Sequence, residues 1–154
     1  EFKTFLKLSP PLRKEQDRLD LISGIKNGII DIMVSDHKPE DEESKRLTFQ
    51  KCATGASGIE TFLSLALEQY HNGNLDLKTI IKCITESPAK IFRINAGSLE
   101  KGMPGDIAIL DLEKPWVVKR EKMQSKSKNT AIEGRKLQGK VEKTFLNGKL
   151  VFKI

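Results

Sequence analysis

The chain has 154 residues, which is enough for one ordinary domain or for parts of two. Apolar residues make up 38%, and the 11 glycines raise this share to about 45%, a globular composition that excludes disorder as the main state. No apolar stretch approaches the roughly 18 residues of a spanning helix, and EFKTFLKLSPP has too short an apolar core for a signal peptide, so we expect a soluble, cytoplasmic protein.

The formal net charge of +6 is unevenly distributed. Residues 1–77 carry 10 Lys and Arg against 13 Asp and Glu, whereas residues 78–154 carry 17 against 8. Basic side chains can bind nucleic-acid phosphates, but the densest basic run, residues 119–128, contains no aromatic residue on which a base could stack. We therefore expect a solvated surface there and no nucleic-acid partner.

The cysteines and histidines lack the spacing of a zinc finger. Cys52 and Cys83 each lie beside apolar residues, and we expect small buried side chains without chemistry. His71 follows a predicted helix, and we expect it to face solvent at the helix end.

The first elements predict an α/β unit. Residues 2–8 alternate loosely before Pro10 and Pro11, which favours the end of a strand. Residues 14–26 have helical apolar spacing and are followed by Asn27-Gly28, a typical helix stop. Residues 29–34 are a short run rich in β-branched side chains, which predicts a strand buried on both faces in a parallel sheet.

Residues 35–57 show no clear periodicity and are predicted to form a long loop. The loop begins with Ser35-Asp36-His37-Lys38-Pro39-Glu40, directly at the carboxyl end of the predicted strand. In parallel α/β sheets and barrels, ligands bind at that end of the strands.

Helical patterns return at residues 59–70 and 77–86, and Ser87-Pro88 indicates a third helix start. From residue 96 the sequence predicts short strands at residues 106–112, 116–118 and 141–154, with Asn147-Gly148 as a hairpin turn. We therefore divide the chain into residues 1–95, with mixed helices and strands, and residues 96–154, which are all β.

Asp36 is the best candidate for chemistry because of its position and its residue type. A carboxylate there can ligate a divalent metal and accept a proton from metal-bound water, whose pKa falls to about 7. The alternative is that Asp36 only caps backbone amides of the loop.

Five motifs follow one another in the order of a known family: SPPLRKEQDR (9–18), DHKP (36–39), GASGIET (55–61), GSLEKGMPGDIAILD (97–111) and SKSKNTAIEG (125–134). Together they resemble the dihydroorotase family of the amidohydrolase superfamily. The resemblance implies the carboxyl-terminal part of a TIM-like (β/α)8 barrel for residues 1–95 and part of a small β-sandwich for residues 96–154.

The resemblance also implies a metal-dependent hydrolase that reversibly cyclises N-carbamoyl-L-aspartate to dihydroorotate in de novo pyrimidine biosynthesis. The metal is usually zinc, as one or two ions. Asp36 matches the aspartate that binds metal and shuttles the proton between a bridging hydroxide and the ring nitrogen, first as general base and then as general acid. With Asp36 as the ligand, we expect His37 to orient a metal ligand rather than to bind the metal.

The same resemblance implies four substrate-binding positions: Ser9, Glu40, Thr54 and Gly55. Ser9 replaces an asparagine that is common in the family, and it keeps a hydrogen-bonding side chain. Glu40 replaces a histidine, and its carboxylate would repel a dianionic substrate. Thr54 and Gly55 lie in a stretch whose backbone contacts the substrate, so side-chain changes there preserve the function.

The family's other metal ligands, including a His-x-His pair, would precede Glu1, and one aspartate cannot hold a catalytic metal. We therefore expect the carboxyl-terminal portion of a longer enzyme, inactive alone, with a barrel edge that requires the missing amino-terminal part. A catalytically silent dihydroorotase-like scaffold, for example for aspartate transcarbamoylase, is the alternative, and a homo-oligomer stays open.

Overall fold

A computed structural model describes residues 2–154. Within these residues, helices occupy the first part of the chain and a small sheet occupies the rest. The helices are α1 (Glu15–Lys26), α2 (Glu42–Arg46), α3 (Ile59–His71), α4 (Leu77–Ile84) and α5 (Glu86–Phe92), and the strands are β1 (Ile107–Val117), β2 (Lys136–Leu146) and β3 (Lys149–Lys153).

Helix α1 confirms the helix predicted at residues 14–26. At its start, the Asp17 carboxylate accepts a hydrogen bond from the backbone N–H of Lys14 at 3.0 Å, which satisfies a donor that has no partner within the helix. At its end, Gly28 has a φ of 69°, the left-handed conformation that glycine adopts at little cost.

Residues 29–34 form no strand, so the predicted strand and parallel sheet are wrong for the part of the chain that the structure describes. The backbone N–H groups of Ile29 and Ile30 donate to the Gly24 carbonyl, and the N–H of Met33 donates to the Cys83 carbonyl. A strand exists only where a neighbouring strand continues its ladder, and no segment of residues 2–154 pairs with this one. The segment is therefore anchored to the ends of α1 and α4.

Three short helices lie where the sequence predicts none within the described residues, and one of them is a 3₁₀ turn at Arg120–Lys122. Thr4–Leu6 is a single turn of 3₁₀ helix, so the strand end predicted at residues 2–8 is wrong. Helix α2 lies inside the predicted loop, and its N-terminus is capped by the Asp41 carboxylate, which accepts from the backbone N–H of Ser44 at 2.7 Å. Its polar sequence EESKR has no apolar periodicity, which explains why the pattern did not reveal it.

Helices α3, α4 and α5 confirm the three predicted helices. Ala66 of α3, Ile80 of α4 and the intervening Leu75 form a buried apolar cluster against which Ile22 and Ile25 of α1 pack. Asp76 caps α4 by accepting a hydrogen bond from the Thr79 N–H at 2.9 Å. Helices α1, α3 and α4 thus share one small core.

The sheet is antiparallel, in the order β1-β2-β3. The predicted hairpin is confirmed: Asn147 and Gly148 join β2 to β3 with φ values of 50° and 74°, as the tight primed turns of hairpins require. The two strands predicted at residues 106–112 and 116–118 are one strand, β1, with a register shift between Asp111 and Pro115.

Helix α3 packs directly on the sheet at Gly139 of β2. A Cβ at Gly139 would lie 2.4 Å from Cδ1 of Leu67, so only glycine permits this approach. The Ser64 hydroxyl donates to the Gly139 carbonyl at 2.6 Å and accepts from Nε1 of Trp116 at 3.1 Å. These contacts fix the sheet against the helix that leads to the candidate site.

The cysteines are buried as predicted, and burial raises the pKa of the Cys83 thiol.

His71 differs from the prediction, because its side chain is only 17% exposed and its Nε2 lies 3.6 Å from Oε1 of Glu113 on β1. The packing of α3 on the sheet covers this helix end. Within the described residues, the last α-helix ends at Phe92 and the first strand begins at Ile107. The division of the chain at residue 95 stays a prediction.

Among residues 2–154, none of the helices has the length and apolar character that a bilayer crossing requires.

Candidate active site

A cavity of about 530 Å³ lies between four parts of the chain. They are the residues before α1, residues 35–36, the residues before α3 and the residues before β2. Its wall is formed by residues within 6–12, by residues 35–36 and 55–58, by Thr61 and Leu65 of α3, and by residues within 130–135. Most of this wall is apolar or backbone. A polar ligand would therefore be recognised by a few side chains and by free backbone groups.

Asp36 lies in the wall of this cavity. Its φ of 41° is in the left-handed region, which aspartate tolerates better than most residues. Within residues 2–154 its carboxylate has no hydrogen-bond or ion-pair partner, so the loop-capping alternative finds no support. The carboxylate is exposed and free to bind a ligand or to take up a proton.

His37 connects residues 35–38, which we call the Asp36 turn, to the start of α3. Its Nδ1 accepts hydrogen bonds from the backbone N–H groups of Gly58 at 3.2 Å and Ile59 at 3.3 Å. These are unpaired donors of a helix N-terminus, so the imidazole acts as a helix cap. A ring nitrogen that accepts these bonds carries no proton, which leaves Nε2 as the donor.

The structure brings Ser9 and Gly55 into the same cavity wall as Asp36. Glu40 lies outside this wall, half-buried, with its carboxylate 3.7 Å from Nζ of Lys38. Thr54 also lies outside the lining, next to Gly55 along the chain. Two of the four residues predicted to bind substrate therefore line the cavity together with the predicted catalytic carboxylate.

The stretch that contains Gly55 has two free backbone donors within the described residues. The Gly55 N–H donates to the Lys7 carbonyl at 3.0 Å, and the Ser57 N–H donates to the Asn129 carbonyl at 3.2 Å. The N–H groups of Thr54 and Ala56 have no partner among residues 2–154. Of these two residues, Ala56 lines the cavity and Thr54 does not.

Two glycines in this stretch permit close approach to the Asp36 turn. Gly55 has a φ of 143°, and a Cβ there would lie 2.7 Å from the Lys38 carbonyl oxygen. A Cβ at Gly58 would lie 2.7 Å from the Ser35 carbonyl oxygen. The two glycines of the GASG sequence are therefore explained sterically, because larger residues would push this stretch away from the backbone of residues 35–38.

Asn129 forms hydrogen bonds to both ends of the loop between Asp36 and α3, a role that its sequence motif did not predict. The buried side chain accepts from the Glu40 N–H and the Ser57 hydroxyl, each at 3.2 Å, and donates to the Gly55 carbonyl at 3.3 Å. The neighbouring Ser127 hydroxyl donates to the Glu40 carbonyl. The SKSKNT motif therefore braces the segment that carries Asp36.

Lys45 is a second residue that the sequence analysis missed. It lies on α2 and is completely buried, and its Nζ donates to the carbonyls of Lys7, Ala53 and Gly55 at 3.2, 3.0 and 3.0 Å. Desolvation lowers the pKa of this ammonium. No feature of the surrounding EESKR sequence marks the lysine as buried.

The described residues do not form a metal site by themselves. Within residues 2–154 no group of three or more His, Cys, Asp or Glu side chains is close enough to hold an ion. A catalytic zinc site uses about three protein ligands, and Asp36 offers one. A carboxylate oxygen is one of the ligand types that zinc accepts, but the ligand set of the described residues is incomplete.

The fold is similar to that of solved hydantoinases and dihydropyrimidinases. The L-hydantoinase (dihydropyrimidinase) of Arthrobacter aurescens is 30% identical with a TM-score of 0.92, over 97% of this chain and 35% of that one. The dihydropyrimidinase of Brevibacillus agri is 25% identical with a TM-score of 0.90, over 97% of this chain and 34% of the other. These similarities define the class as part of an α/β amidohydrolase barrel with its small β-region, and the predicted fold class is confirmed.

A model of the amidohydrolase family matches residues 8–151, and the chain belongs to this family. Proteins named dihydroorotase are among its relatives: that of Anaplasma phagocytophilum is 42% identical over 99% of this chain, and that of Aquifex aeolicus is 43% identical over 96%. The chain covers 34% and 35% of these two proteins, respectively, so it spans about a third of the length of the curated relatives that it matches.

Proposed function

We propose that this chain supplies the carboxyl-terminal third of a dihydroorotase, which interconverts N-carbamoyl-L-aspartate and dihydroorotate. The identity of 42% to the Anaplasma phagocytophilum dihydroorotase, over nearly the whole chain, supports this activity. The five sequence motifs agree with this proposal, because the resemblance of PPLR and SKSKNT points to dihydroorotase among the amidohydrolases. Residues 1–95 then belong to the barrel and residues 96–154 to the β-sandwich.

The observation that carries the proposal is the placement of Asp36 in one cavity wall with Ser9 and Gly55. Ring opening requires a base that takes a proton from the attacking water and an acid that gives one to the departing ring nitrogen. A carboxylate without a competing partner can do both in turn. Asp36 is therefore the proposed catalytic residue.

Ser9, Thr54, Gly55 and Glu40 are the proposed substrate-binding residues. The Ser9 hydroxyl and the free N–H groups of Thr54 and Ala56 offer donors to the carboxylate and carbonyl oxygens of the substrate. The Lys38 ammonium lies beside the Glu40 carboxylate and reduces its repulsion of a dianion.

The proposed cofactor is zinc, as one or two ions, and Asp36 is the one ligand that this chain contributes. A bound zinc ion polarises a carbonyl and lowers the pKa of water. The other ligands are expected outside residues 2–154. We also propose a small-molecule substrate and a cytoplasmic location, with any homo-oligomer or aspartate transcarbamoylase complex left to direct measurement.

The test is the rate of dihydroorotate hydrolysis by the native protein that contains this chain, as wild type, Asp36→Ala and Asp20→Ala. Asp20 is an exposed carboxylate on α1, outside the cavity wall, and it serves as the matched control. We expect Asp36→Ala to lower kcat by about 100-fold or more and Asp20→Ala to leave it unchanged. Equal rates for wild type and Asp36→Ala would refute the catalytic role, and a folded wild type without hydrolysis would favour the silent scaffold.

A further inference from the structure

Lys45 presents an unusual energetic problem, because its charge is completely buried. Within the described residues no carboxylate lies within ion-pair distance of its ammonium. Burial of an unpaired charge is costly unless hydrogen bonds replace the lost water. The three N–H groups of the ammonium meet this need by donating to three carbonyl oxygens, one each from Lys7, Ala53 and Gly55.

The three carbonyls belong to the backbone that forms the cavity wall. Gly55 lies in the wall, and Lys7 precedes Ser9 of the same wall by two residues. The Lys7 carbonyl also accepts a hydrogen bond from the Gly55 N–H at 3.0 Å. The hydrogen bonds of Lys45 therefore add to a direct backbone bond between Lys7 and Gly55, and together they hold residue 7 against residues 53–55. The two free amides, of Thr54 and Ala56, flank Gly55 directly.

The same stretch is bonded to the Asp36 turn. The Lys38 N–H donates to the Ala56 carbonyl at 3.0 Å, and Gly55 packs against the Lys38 carbonyl oxygen. Lys38 is two residues from Asp36. A shift of Gly55 therefore moves both the candidate substrate donors and the backbone that orients the candidate catalytic carboxylate.

We propose that Lys45 is a positioning residue whose ammonium holds the backbone of residues 53–56 in the geometry that the reaction at the cavity needs. This inference rests on the proposed function for its kinetic part. The site requires three diverging donors on a compact group. A planar guanidinium cannot donate in that arrangement. A methionine of similar length leaves the Ala53 carbonyl without a donor among the described residues, and it removes one of the two donors to each of the Lys7 and Gly55 carbonyls.

The experiment compares Lys45→Met and Lys45→Arg with Lys82→Met, in the native protein that contains this chain. Lys82 lies on the exposed face of α4 and provides the same substitution away from the cavity. Amide hydrogen exchange reports the geometry without any substrate. We expect the Lys38 and Gly55 amides to exchange at least about 10-fold faster in Lys45→Met, while the amides within α3 keep their protection.

Steady-state kinetics, measured well below the unfolding temperature of each variant, test the link to the reaction. A misplacement of about 1 Å can cost about 100-fold in rate, so we expect both Lys45 variants to lower kcat/KM for dihydroorotate by about 10- to 100-fold, with Lys82→Met unchanged. A purely structural lysine would lower stability and leave kcat/KM of the folded enzyme at the wild-type value, and that result would overturn the proposal.

The exchange and kinetic results separate the two proposals. Unchanged exchange at Lys38 and Gly55 in a folded Lys45→Met would overturn the positioning role, even if the wild type hydrolyses dihydroorotate. A wild type without hydrolysis would overturn both the proposed function and the kinetic role of Lys45. If the variants do not fold, acetylation rates of the lysines in the wild type test whether Lys45 is buried and hydrogen-bonded. We expect Lys45 to react at least about 10-fold more slowly than Lys82. Equal rates would refute the buried, hydrogen-bonded state of Lys45 and overturn the proposal.

Discussion

The Nδ1 atom of His37 accepts a hydrogen bond from the backbone N–H of Gly58 at 3.2 Å, and this bond joins the Asp36 turn to the first turn of α3. Helix N-termini carry unpaired N–H groups and a partial positive charge, so an acceptor there stabilises the helix. The same bond restrains the residue that follows the candidate catalytic carboxylate.

We expect His37→Ala to lower the free energy of unfolding by about 1 kcal/mol, as the loss of a helix cap usually does. His37→Asn should recover most of this loss, because its side-chain oxygen can replace Nδ1 as the acceptor. Urea unfolding of the native protein that contains this chain measures both. An equal loss in the two variants would contradict the capping role.

Gly55→Ala should be strongly destabilising because the new Cβ would lie 2.7 Å from the Lys38 carbonyl oxygen, at a φ of 143°. We expect a loss of about 3 kcal/mol in the free energy of unfolding. Gly134→Ala is the matched control, since Gly134 has a φ of 76° and open space around its Cα, and it should cost about 1 kcal/mol. Similar losses at the two positions would show that the close approach at Gly55 has no effect.

Asn129→Leu should destabilise the loop by leaving the Gly55 carbonyl, the Glu40 N–H and the Ser57 hydroxyl without their shared partner. We expect a loss of about 3 kcal/mol in the free energy of unfolding, measured by denaturant titration. Asn95→Leu makes the same change at an exposed position and should have little effect. A loss below about 0.5 kcal/mol for Asn129→Leu would contradict the bracing role.

Asp76 predicts a pH dependence of stability. Hydrogen bonds from the backbone and side chain of Thr79 hold the pKa of the Asp76 carboxyl below its ordinary value of 3.8. A lowered pKa in the folded state means that the unfolded state binds more protons near this pH. The contribution of Asp76 is therefore fully present above about pH 5 and is lost as the pH falls through the folded-state pKa.

Thermal unfolding midpoints measured from pH 6 to pH 2 test this expectation. We expect Asp76→Asn, which keeps the capping oxygen without its charge, to show a smaller fall in midpoint with acid than the wild type. An identical fall in both proteins would show that Asp76 does not contribute to acid sensitivity.

The sequence predicted those parts of the fold that depend on local chemistry. Asn147-Gly148 requires a tight turn by its own conformational preference, and Gly28 ends α1 for the same reason. Residues 29–34 have the composition of a buried strand, but strand formation depends on a partner that local sequence does not contain. The pattern was therefore wrong about both pairing and burial within the described chain, where none of residues 29–34 is buried and Ile29 and Val34 are exposed.

The candidate site was predictable only in part. The motifs that contain Asp36, Ser9 and Gly55 identified residues that lie in one cavity wall. The functions of Lys45 and Asn129 depend on carbonyls and amides that are distant along the chain, so residue type and spacing could not reveal them. Only the folded backbone shows that the N–H groups of Thr54 and Ala56 have no hydrogen-bond partner among the described residues.

The most direct test of the central claim is a crystal structure of the native protein that contains this chain, with dihydroorotate bound. We predict that a carboxylate oxygen of Asp36 lies at a hydrogen-bond distance of about 2.6–3.2 Å from the ring nitrogen or from a water placed to attack the adjacent carbonyl. A substrate bound elsewhere, or an Asp36 carboxylate turned away from it, would contradict the account.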